Sequence, residues 1–120
     1  MSVEQDVTRA LGRWAAGSLL VGGALAAVPR TRGCGRQTAA WGAVDGVIAV
    51  VGARRAARGR TTAPARLRRV LLVNAGLDVG YLAAGAWLSA RPRWRGDGLA
   101  VLLQGAFLLA LDTAGARRLR

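Results

Sequence analysis

Four long apolar stretches dominate the pattern of hydrophobic and polar positions along the chain. They cover residues 14–28, 37–53, 70–90 and 99–116, and none of them contains an arginine. Stretches of this length without period-2 alternation favour helices over strands, and roughly 17–25 apolar residues are needed to cross a bilayer. The polar face of a water-exposed helix is missing from all four. The pattern predicts an all-α protein, a four-transmembrane-helix bundle that forms a single membrane domain over residues 1–120.

The residues before the first stretch predict a short amphipathic lead-in. An apolar stripe at helical spacing ends at Trp14, and charged side chains lie on the opposite face. Ser2 and Gln5 stand in the positions of a capping box. We expect residues 2–13 to lie in the membrane interface, with Trp14 as the anchor. A cleaved signal peptide is the alternative, because Ala24-Leu25-Ala26 has the small-x-small form of a cleavage site.

Composition narrows the chemistry that the chain can perform. All 18 basic residues are arginine, against 6 acidic residues, and the formal net charge is +12. Without histidine, the usual zinc sites and histidine-based acid–base catalysis are excluded. Cys34 is the only cysteine, so no internal disulfide or thiolate pair can form. With no nucleophile–base pair or metal set visible, we expect a protein that is not an enzyme and has no cofactor.

The distribution of arginine predicts the orientation of the bundle. In a four-span protein, both termini and the connector 54–69 share one side, and these segments carry 12 arginines. The connectors 29–36 and 91–98 on the other side carry 6. The positive-inside rule places the richer side, and therefore both termini, in the cytoplasm. Arginine in place of lysine, with abundant alanine and glycine, indicates a GC-rich bacterial genome and a multi-pass protein of the plasma (inner) membrane.

The connector between the second and third stretches is the densest of the arginine-rich loops. One interpretation is contact with anionic lipid headgroups, at about 1 kcal/mol for each basic residue near the surface. The alternative is a topology signal in a solvated linker. Nucleic acid is not an expected partner, because no soluble fold presents the charge. The candidate lipid contacts are Arg54, Arg55, Arg58, Arg60, Arg66, Arg68 and Arg69.

Three aspartates, Asp45, Asp78 and Asp112, lie within the apolar stretches. A carboxylate at the bilayer centre costs about 2.5–3.5 kcal/mol on insertion scales, so it usually faces the bundle interior and marks a functional site. Asp45 and Asp78 are each nine residues from the arginines of the middle connector, which predicts equal depth, about 13–14 Å inside. Two facing carboxyls at one depth favour a shared proton. Asp112 is closer to the arginine tail, and we expect it near the cytoplasmic interface as a partner for an arginine or for water.

Other polar side chains accompany the aspartates. Asn74 and Tyr81 share the seam of Asp78 at three- and four-residue spacing, and Gln104 lies deeper than Asp112 in the fourth stretch. Such groups can act as interhelical hydrogen-bond partners worth about 0.6–2 kcal/mol each, or they can handle protons or cations. Both interpretations stay open at this point. The candidate intramembrane polar site is Asp45, Asp78, Asn74, Tyr81, Gln104 and Asp112.

Glycines at four-residue spacing flank the two deeper aspartates. Gly42-x-x-x-Gly46 brackets Asp45, Gly76-x-x-x-Gly80 brackets Asp78, and Gly22-Gly23 lie in the middle of the first stretch. Small residues at this spacing allow membrane helices to approach closely. We therefore expect close helix contacts beside both carboxyls.

Three segments of the chain resemble an uncharacterised group of small four-helix bacterial membrane proteins. These segments are Trp41-Gly42-Ala43-Val44-Asp45, residues 74–78, and Gln104 to Leu109 followed by Asp112. The resemblance runs from about residue 10 and implies fold and location without an activity. We expect a small integral membrane protein that serves as a non-enzymatic accessory or packing subunit. The alternative is a proton- or cation-coupled small transporter or channel, as a homodimer, that uses the intramembrane aspartates.

Overall fold

The computed structural model describes residues 2–119, and Met1 and Arg120 of the predicted domain lie outside the described residues. The described residues are helical apart from short connectors and contain no strand, so the all-α prediction is confirmed. At about 1.5 Å per residue, helices of 24–26 residues are about 36–39 Å long. The four helices are α1 (Val3–Ala26), α2 (Arg32–Ala57), α3 (Pro64–Ser89) and α4 (Arg95–Arg118), with 3-10 turns at Pro29–Thr31 and Pro92–Trp94.

The predicted interfacial lead-in is not a separate element. Residues 3–13 are the first turns of α1, which continues without a break to Ala26. The apolar stripe of these turns packs inward, because Leu11 is buried and Val7 lies against α4 at Gly115. The stripe that predicted an interfacial helix instead extends the core of the bundle towards the chain start.

The capping box at the start of α1 is confirmed. The hydroxyl of Ser2 accepts a hydrogen bond from the Gln5 backbone N–H at 3.1 Å, and the Ser2 N–H donates to Gln5 Oε1 at 3.2 Å. These two bonds satisfy donors that a helix N-terminus otherwise leaves free.

The bundle consists of two helical hairpins. α1 packs along α2, and α3 packs along α4. The hairpins meet mainly through α2 and α4, with lighter contact between α1 and α4, whereas α3 makes only sparse contact with the first hairpin. Glu4 holds the connector between the hairpins, because its carboxylate accepts hydrogen bonds from the Thr62 backbone N–H at 2.9 Å and the Thr62 hydroxyl at 3.0 Å.

The two hairpins repeat one design at an offset of 63 residues, the distance from Pro29 to Pro92. The sequence Pro-Arg-x-Arg-Gly-x-Gly occurs at residues 29–35 and again at residues 92–98. The residues that precede the two prolines have backbone torsions (φ, ψ) of −103°, 124° and −102°, 121°. In both turns an arginine Nε donates to a carbonyl six residues earlier at 3.4 Å. Such a repeat, with both hairpins running the same way, implies a pseudo-twofold axis parallel to the helices.

Glycine makes the close crossing within each hairpin possible. A Cβ at Gly35 would lie 2.2 Å from the backbone nitrogen of Ala26, and a Cβ at Gly98 would lie 2.3 Å from that of Ser89. The same holds for two further pairs of glycines at the repeat offset, whose Cβ would meet the neighbouring helix within 2.5–3.3 Å. These further positions are Gly22 and Gly42 in the first hairpin, and Gly85 and Gly105 in the second.

Of the two glycine pairs beside the aspartates, the pair in α2 packs against a neighbouring helix and the pair in α3 does not. Gly42 is in the α1–α2 crossing, with its Cβ position 2.9 Å from Ser18 Cβ. The prediction for Gly76 and Gly80 is wrong, because a Cβ at either would have no described neighbour within 4 Å. Both of these face outward, since α3 packs on α4 through Gly85 instead.

Large apolar side chains cover the outside of the bundle. Leu20, Val47 and Val73 are between 59% and 76% exposed. By length and composition, Pro64–Ser89 and Pro92–Arg118 are each apolar enough to cross a membrane. Four spans remain a prediction.

Candidate functional site

Three aspartates from three different helices meet inside the bundle. Asp45 of α2, Asp78 of α3 and Asp112 of α4 are 2%, 3% and 7% exposed. All three line one cavity. The carboxyls of Asp78 and Asp112 adjoin each other, and that of Asp45 lies close to both. We call these three residues the aspartate cluster.

The position of Asp112 corrects the sequence prediction, which placed it near the interface beside an arginine. The two residues are five positions apart, so Arg117 points about 140° away from Asp112 around the helix. Arg117 is exposed. The next residue, Arg118, forms an ion pair with Asp6 near the start of α1, at 2.9 Å. The packing of α4 on α3 then turns Asp112 inward onto Asp78.

No arginine neutralises the aspartate cluster. The pair Arg118–Asp6 is the one ion pair found among residues 2–119, and it is exposed at the end of the bundle. Oδ2 of Asp45 and Oδ2 of Asp78 are both buried without a hydrogen-bond partner in the described structure. Buried polar oxygens are normally paired, so two such atoms at one place are unusual.

A cavity of about 220 Å³ adjoins the aspartate cluster. Trp41 and Tyr81 form one wall, with ring centroids 4.9 Å apart and ring planes at 70°. The cavity opens between α2 and α3, where the lining residues Val44, Ile48 and Leu77 are more than half exposed. We call this opening the α2–α3 groove.

Asn74 and Tyr81, two of the predicted site residues, line the same cavity and are half-buried. Neither forms a hydrogen bond to an aspartate in the described structure. The sequence was right to group them with Asp78 by helical spacing. Their contribution is to the cavity wall, within reach of whatever occupies it.

Gln104, another predicted site residue, belongs to a different contact. It is completely buried, accepts a hydrogen bond from Trp14 Nε1 at 2.7 Å, and donates to Ser18 Oγ at 3.1 Å. Gln104 and Asp112 are eight residues apart, which separates them by about 12 Å along α4 and about 80° around it. Gln104 therefore joins α4 to α1, away from the aspartate cluster.

The repeat explains how these two polar contacts are related. Adding the offset of 63 residues to Ser18 and Trp41 gives Tyr81 and Gln104. The hydrogen-bonded pair Ser18–Gln104 between α1 and α4 thus corresponds to the aromatic pair Tyr81–Trp41 between α3 and α2. The spacing of the two Pro-Arg-x-Arg-Gly-x-Gly segments was the sequence signal for this relation, and the helix-by-helix interpretation missed it.

The seven candidate lipid contacts lie together at the end of the bundle that holds the termini. They occupy the last turns of α2, the connector, and the first turns of α3. All are exposed except Arg68, which is half-buried with an unpartnered Nε. None of them forms an ion pair with any described residue. Their charge is therefore free to act on a surface outside the protein. The seven are Arg54, Arg55, Arg58, Arg60, Arg66, Arg68 and Arg69.

Within residues 2–119, no group of three histidine, cysteine, aspartate or glutamate side chains is placed to hold a metal ion.

The fold and the site together define an all-helical bundle of two repeated hairpins around an unneutralised carboxyl cluster. The chain belongs to a family of unknown function, DUF6992, which matches residues 10–113. This match includes all three aspartates and confirms the resemblance to an uncharacterised family. No curated protein and no solved structure matches the chain.

Proposed function

We propose that this protein is a small four-span membrane protein that binds and releases protons at the aspartate cluster, as part of a transporter or channel. The observation that carries the proposal is the pair of buried, unpartnered oxygens on Asp45 and Asp78. Three ionised carboxylates in one buried site would repel strongly, and no arginine offsets them. The cluster must therefore hold protons or a cation, and its occupancy responds to whichever is available.

The outer surface of the bundle supports the membrane setting. Every helix presents large apolar side chains to the outside, among them Leu20, Val47, Val73 and Leu103. Water-soluble monomers rarely expose large contiguous apolar patches, so exposed side chains of this kind on all four helices favour a lipid-facing surface. Helices of about 36–39 Å exceed the hydrocarbon thickness of about 30 Å, which leaves their charged ends in the headgroup region.

The arginine distribution supports an orientation with both termini in the cytoplasm of a bacterial plasma membrane. The end that carries the termini and residues 58–63 has twice as many arginines as the opposite end. Its unpaired arginines fit the anionic headgroups of the inner leaflet.

A packing or accessory subunit is the second candidate, because the exposed apolar faces could also bind another protein. In that role the aspartates would only join helices, and joining requires hydrogen-bonded oxygens. The unpartnered oxygens of Asp45 and Asp78 favour proton binding over this role.

Infrared difference spectroscopy of the purified protein in lipid nanodiscs tests the proposal. Protonated carboxyls have a distinct carbonyl stretching band, and we expect part of it to disappear on titration from pH 5 to 9. The variants Asp45→Asn and Asp78→Asn should reduce this change, whereas Asp6→Asn, which alters an exposed aspartate, should preserve it. A wild-type spectrum without a titrating carboxyl band in this range would refute proton binding.

The orientation has its own test. The native Cys34 lies in the connector region that we place outside, at the start of α2. In spheroplasts, an impermeant thiol reagent should modify Cys34 and leave an Arg58→Cys, Cys34→Ser variant unmodified. Membrane permeabilisation is the control that makes residue 58 reactive. The reverse labelling pattern would contradict the proposed orientation.

A further inference from the structure

The pseudo-twofold repeat gives the bundle two equivalent grooves, and at the level of the aspartates only one of them is filled. Between α1 and α4, Trp14 stacks on Phe107 with ring centroids 4.0 Å apart and planes at 4°. The offset of 63 residues relates Trp14 to Leu77, and it relates Val44 to Phe107. The aromatic stack that closes the first groove is thus replaced by two smaller side chains in the α2–α3 groove. Both of these are more than half exposed.

The base of the open groove is also different. Asp78 takes the place that Ala15 has in the filled groove, and Asp112 takes the place of Ala49. Both alanines are buried, so the repeat fold tolerates apolar residues at these positions. The α2–α3 groove therefore combines free space with buried carboxyls, whereas the cavity of about 280 Å³ between α1 and α4, lined by Trp14, Ser18 and Gln104 among others, has no carboxyl in its lining.

We propose that the α2–α3 groove binds a small lipophilic organic cation, such as an aryl or alkyl ammonium, which enters sideways from the bilayer. The proposal rests on the proposed function, because the cation would compete with protons for the aspartate cluster. The carboxyls would face the positive charge, Trp41 and Tyr81 would offer aromatic faces and edges to it, and Val44 and Leu77 would contact its apolar part. The cavity volume of about 220 Å³ limits the ligand to about one ring with a small charged group.

The side chains that surround the aspartate cluster come from all four helices and are acidic, aromatic, amide or apolar, and this environment favours a cation. The titratable side chains that face it are Asp45 from α2, Asp78 and Tyr81 from α3, and Asp112 from α4. The residues that α1 contributes to the cavity lining, Val7 and Leu11, are both apolar. No arginine lines this cavity, so the attraction for a positive charge is not offset nearby.

Lateral entry agrees with the charge distribution along the bundle. The cavity that lies next to this one towards the connector end is lined by Arg55 and Arg66, whose charge repels cations. The rim between α2 and α3 is apolar instead, as a lipid-soluble cation requires.

A second copy of the chain is a less suitable occupant of the groove. A twofold dimer through this face would bring two aspartate clusters close together without any opposing positive charge. Like charges at such an interface oppose association.

Equilibrium dialysis with benzyltrimethylammonium tests the proposal, and neopentylbenzene is the neutral compound of the same shape. In nanodiscs we expect the ammonium to bind wild type at least about tenfold more tightly than the neutral compound, since charge recognition adds to apolar contact. Acidification should weaken ammonium binding, because protons occupy the same carboxyls. Equal binding of both compounds, or no saturable binding of the ammonium, would overturn the proposal.

Two variants separate the groove from general effects on folding. Asp78→Asn keeps the side-chain shape and should lower ammonium affinity at least about tenfold. The double variant Val44→Phe, Leu77→Trp copies the filled groove and should abolish binding, while Val73→Trp on the exposed face of α3 should not. Far-UV circular dichroism checks that each variant is folded. Unchanged affinity in the double variant would show that the ligand binds elsewhere and overturn the proposal.

The outcomes distinguish this inference from the proposed function. A titrating carboxyl band without ammonium binding refutes the organic cation and leaves proton binding intact. Ammonium binding without a titrating band refutes proton binding instead. Dimerisation that the double variant abolishes would identify a second copy as the occupant and overturn the inference.

Discussion

Replacement of Gly35 or Gly98 by alanine should destabilise the bundle strongly and by similar amounts. Both glycines lie just after the 3-10 turns, where the two helices of a hairpin cross. A Cβ at Gly35 would lie 2.2 Å from the Ala26 nitrogen, and one at Gly98 would lie 2.3 Å from the Ser89 nitrogen. Non-bonded atoms prefer about 3.5–4.0 Å, so each helix pair would have to separate by roughly 1 Å. The atoms in contact are backbone, which no side-chain rotation can move away.

The cost can be estimated from the effect of overpacking in well-packed interiors. Inserting a methyl group into such a site typically costs about 1–3 kcal/mol. The gain in helix propensity from glycine to alanine returns about 0.5–1 kcal/mol. Because the clash here is with backbone, we expect a net loss of about 1–2 kcal/mol or more in each variant.

Gly76→Ala and Gly80→Ala are the matched controls, because both glycines lie within α3 and face open space. They should leave stability unchanged or raise it by up to about 1 kcal/mol. Unfolding in mixed micelles of increasing denaturing-detergent content, followed by far-UV circular dichroism, measures all four. The reasoning is refuted if Gly35→Ala and Gly98→Ala unfold together with wild type, or if the control variants lose as much stability.

Three further substitutions test contacts elsewhere in the bundle. Trp14→Phe keeps an aromatic ring against Phe107 and removes the donor to Gln104, which should cost about 1–3 kcal/mol in the same assay; a neutral result would show that the bond contributes nothing. Ser2→Ala breaks the capping box and should cost about 0.5–2 kcal/mol, with fraying of α1 visible as faster amide exchange in its first turn. Arg118→Gln removes an exposed ion pair, and we expect a loss of less than about 1 kcal/mol that becomes smaller as salt is added.

Helical spacing was sufficient to predict the inward face of α3. Leu71, Asp78 and Gly85 lie on one seam at seven-residue intervals, and all three are buried in the structure. The prediction worked because a single helix face meets a single partner, α4. Helical spacing was not applied to Asp112. Its distance along α4 from the arginine tail was used instead, whereas its rotation about the helix axis decides that it contacts Asp78.

Glycine spacing by itself could not identify which crossings are tight. Gly76 and Gly80 have the four-residue spacing of a packing motif and face outward, whereas Gly22 and Gly35, on different helices, meet at a crossing. Contacts between helices depend on the angle at which a hairpin closes, and this angle is set by the 3-10 turn. The turn appears in the sequence only when its two copies are compared with each other.

The repeat separates what the fold requires from what it does not. Close backbone approach is required in both hairpins, and glycine accordingly occurs at all six equivalent positions. The aspartates have no counterparts, because the positions related to Asp45, Asp78 and Asp112 are Leu108, Ala15 and Ala49.

A carboxyl needed only to join the helices of the repeat would be expected in both copies, since the repeat relates the helices of one hairpin to those of the other. Instead one groove is closed by an aromatic stack and a paired glutamine, and the other has three carboxyls with two free oxygens. Burying these groups costs several kcal/mol that apolar residues would avoid at the same backbone positions. A cost carried on one side alone is not required by the architecture, which agrees with the proposal that the α2–α3 groove binds a ligand.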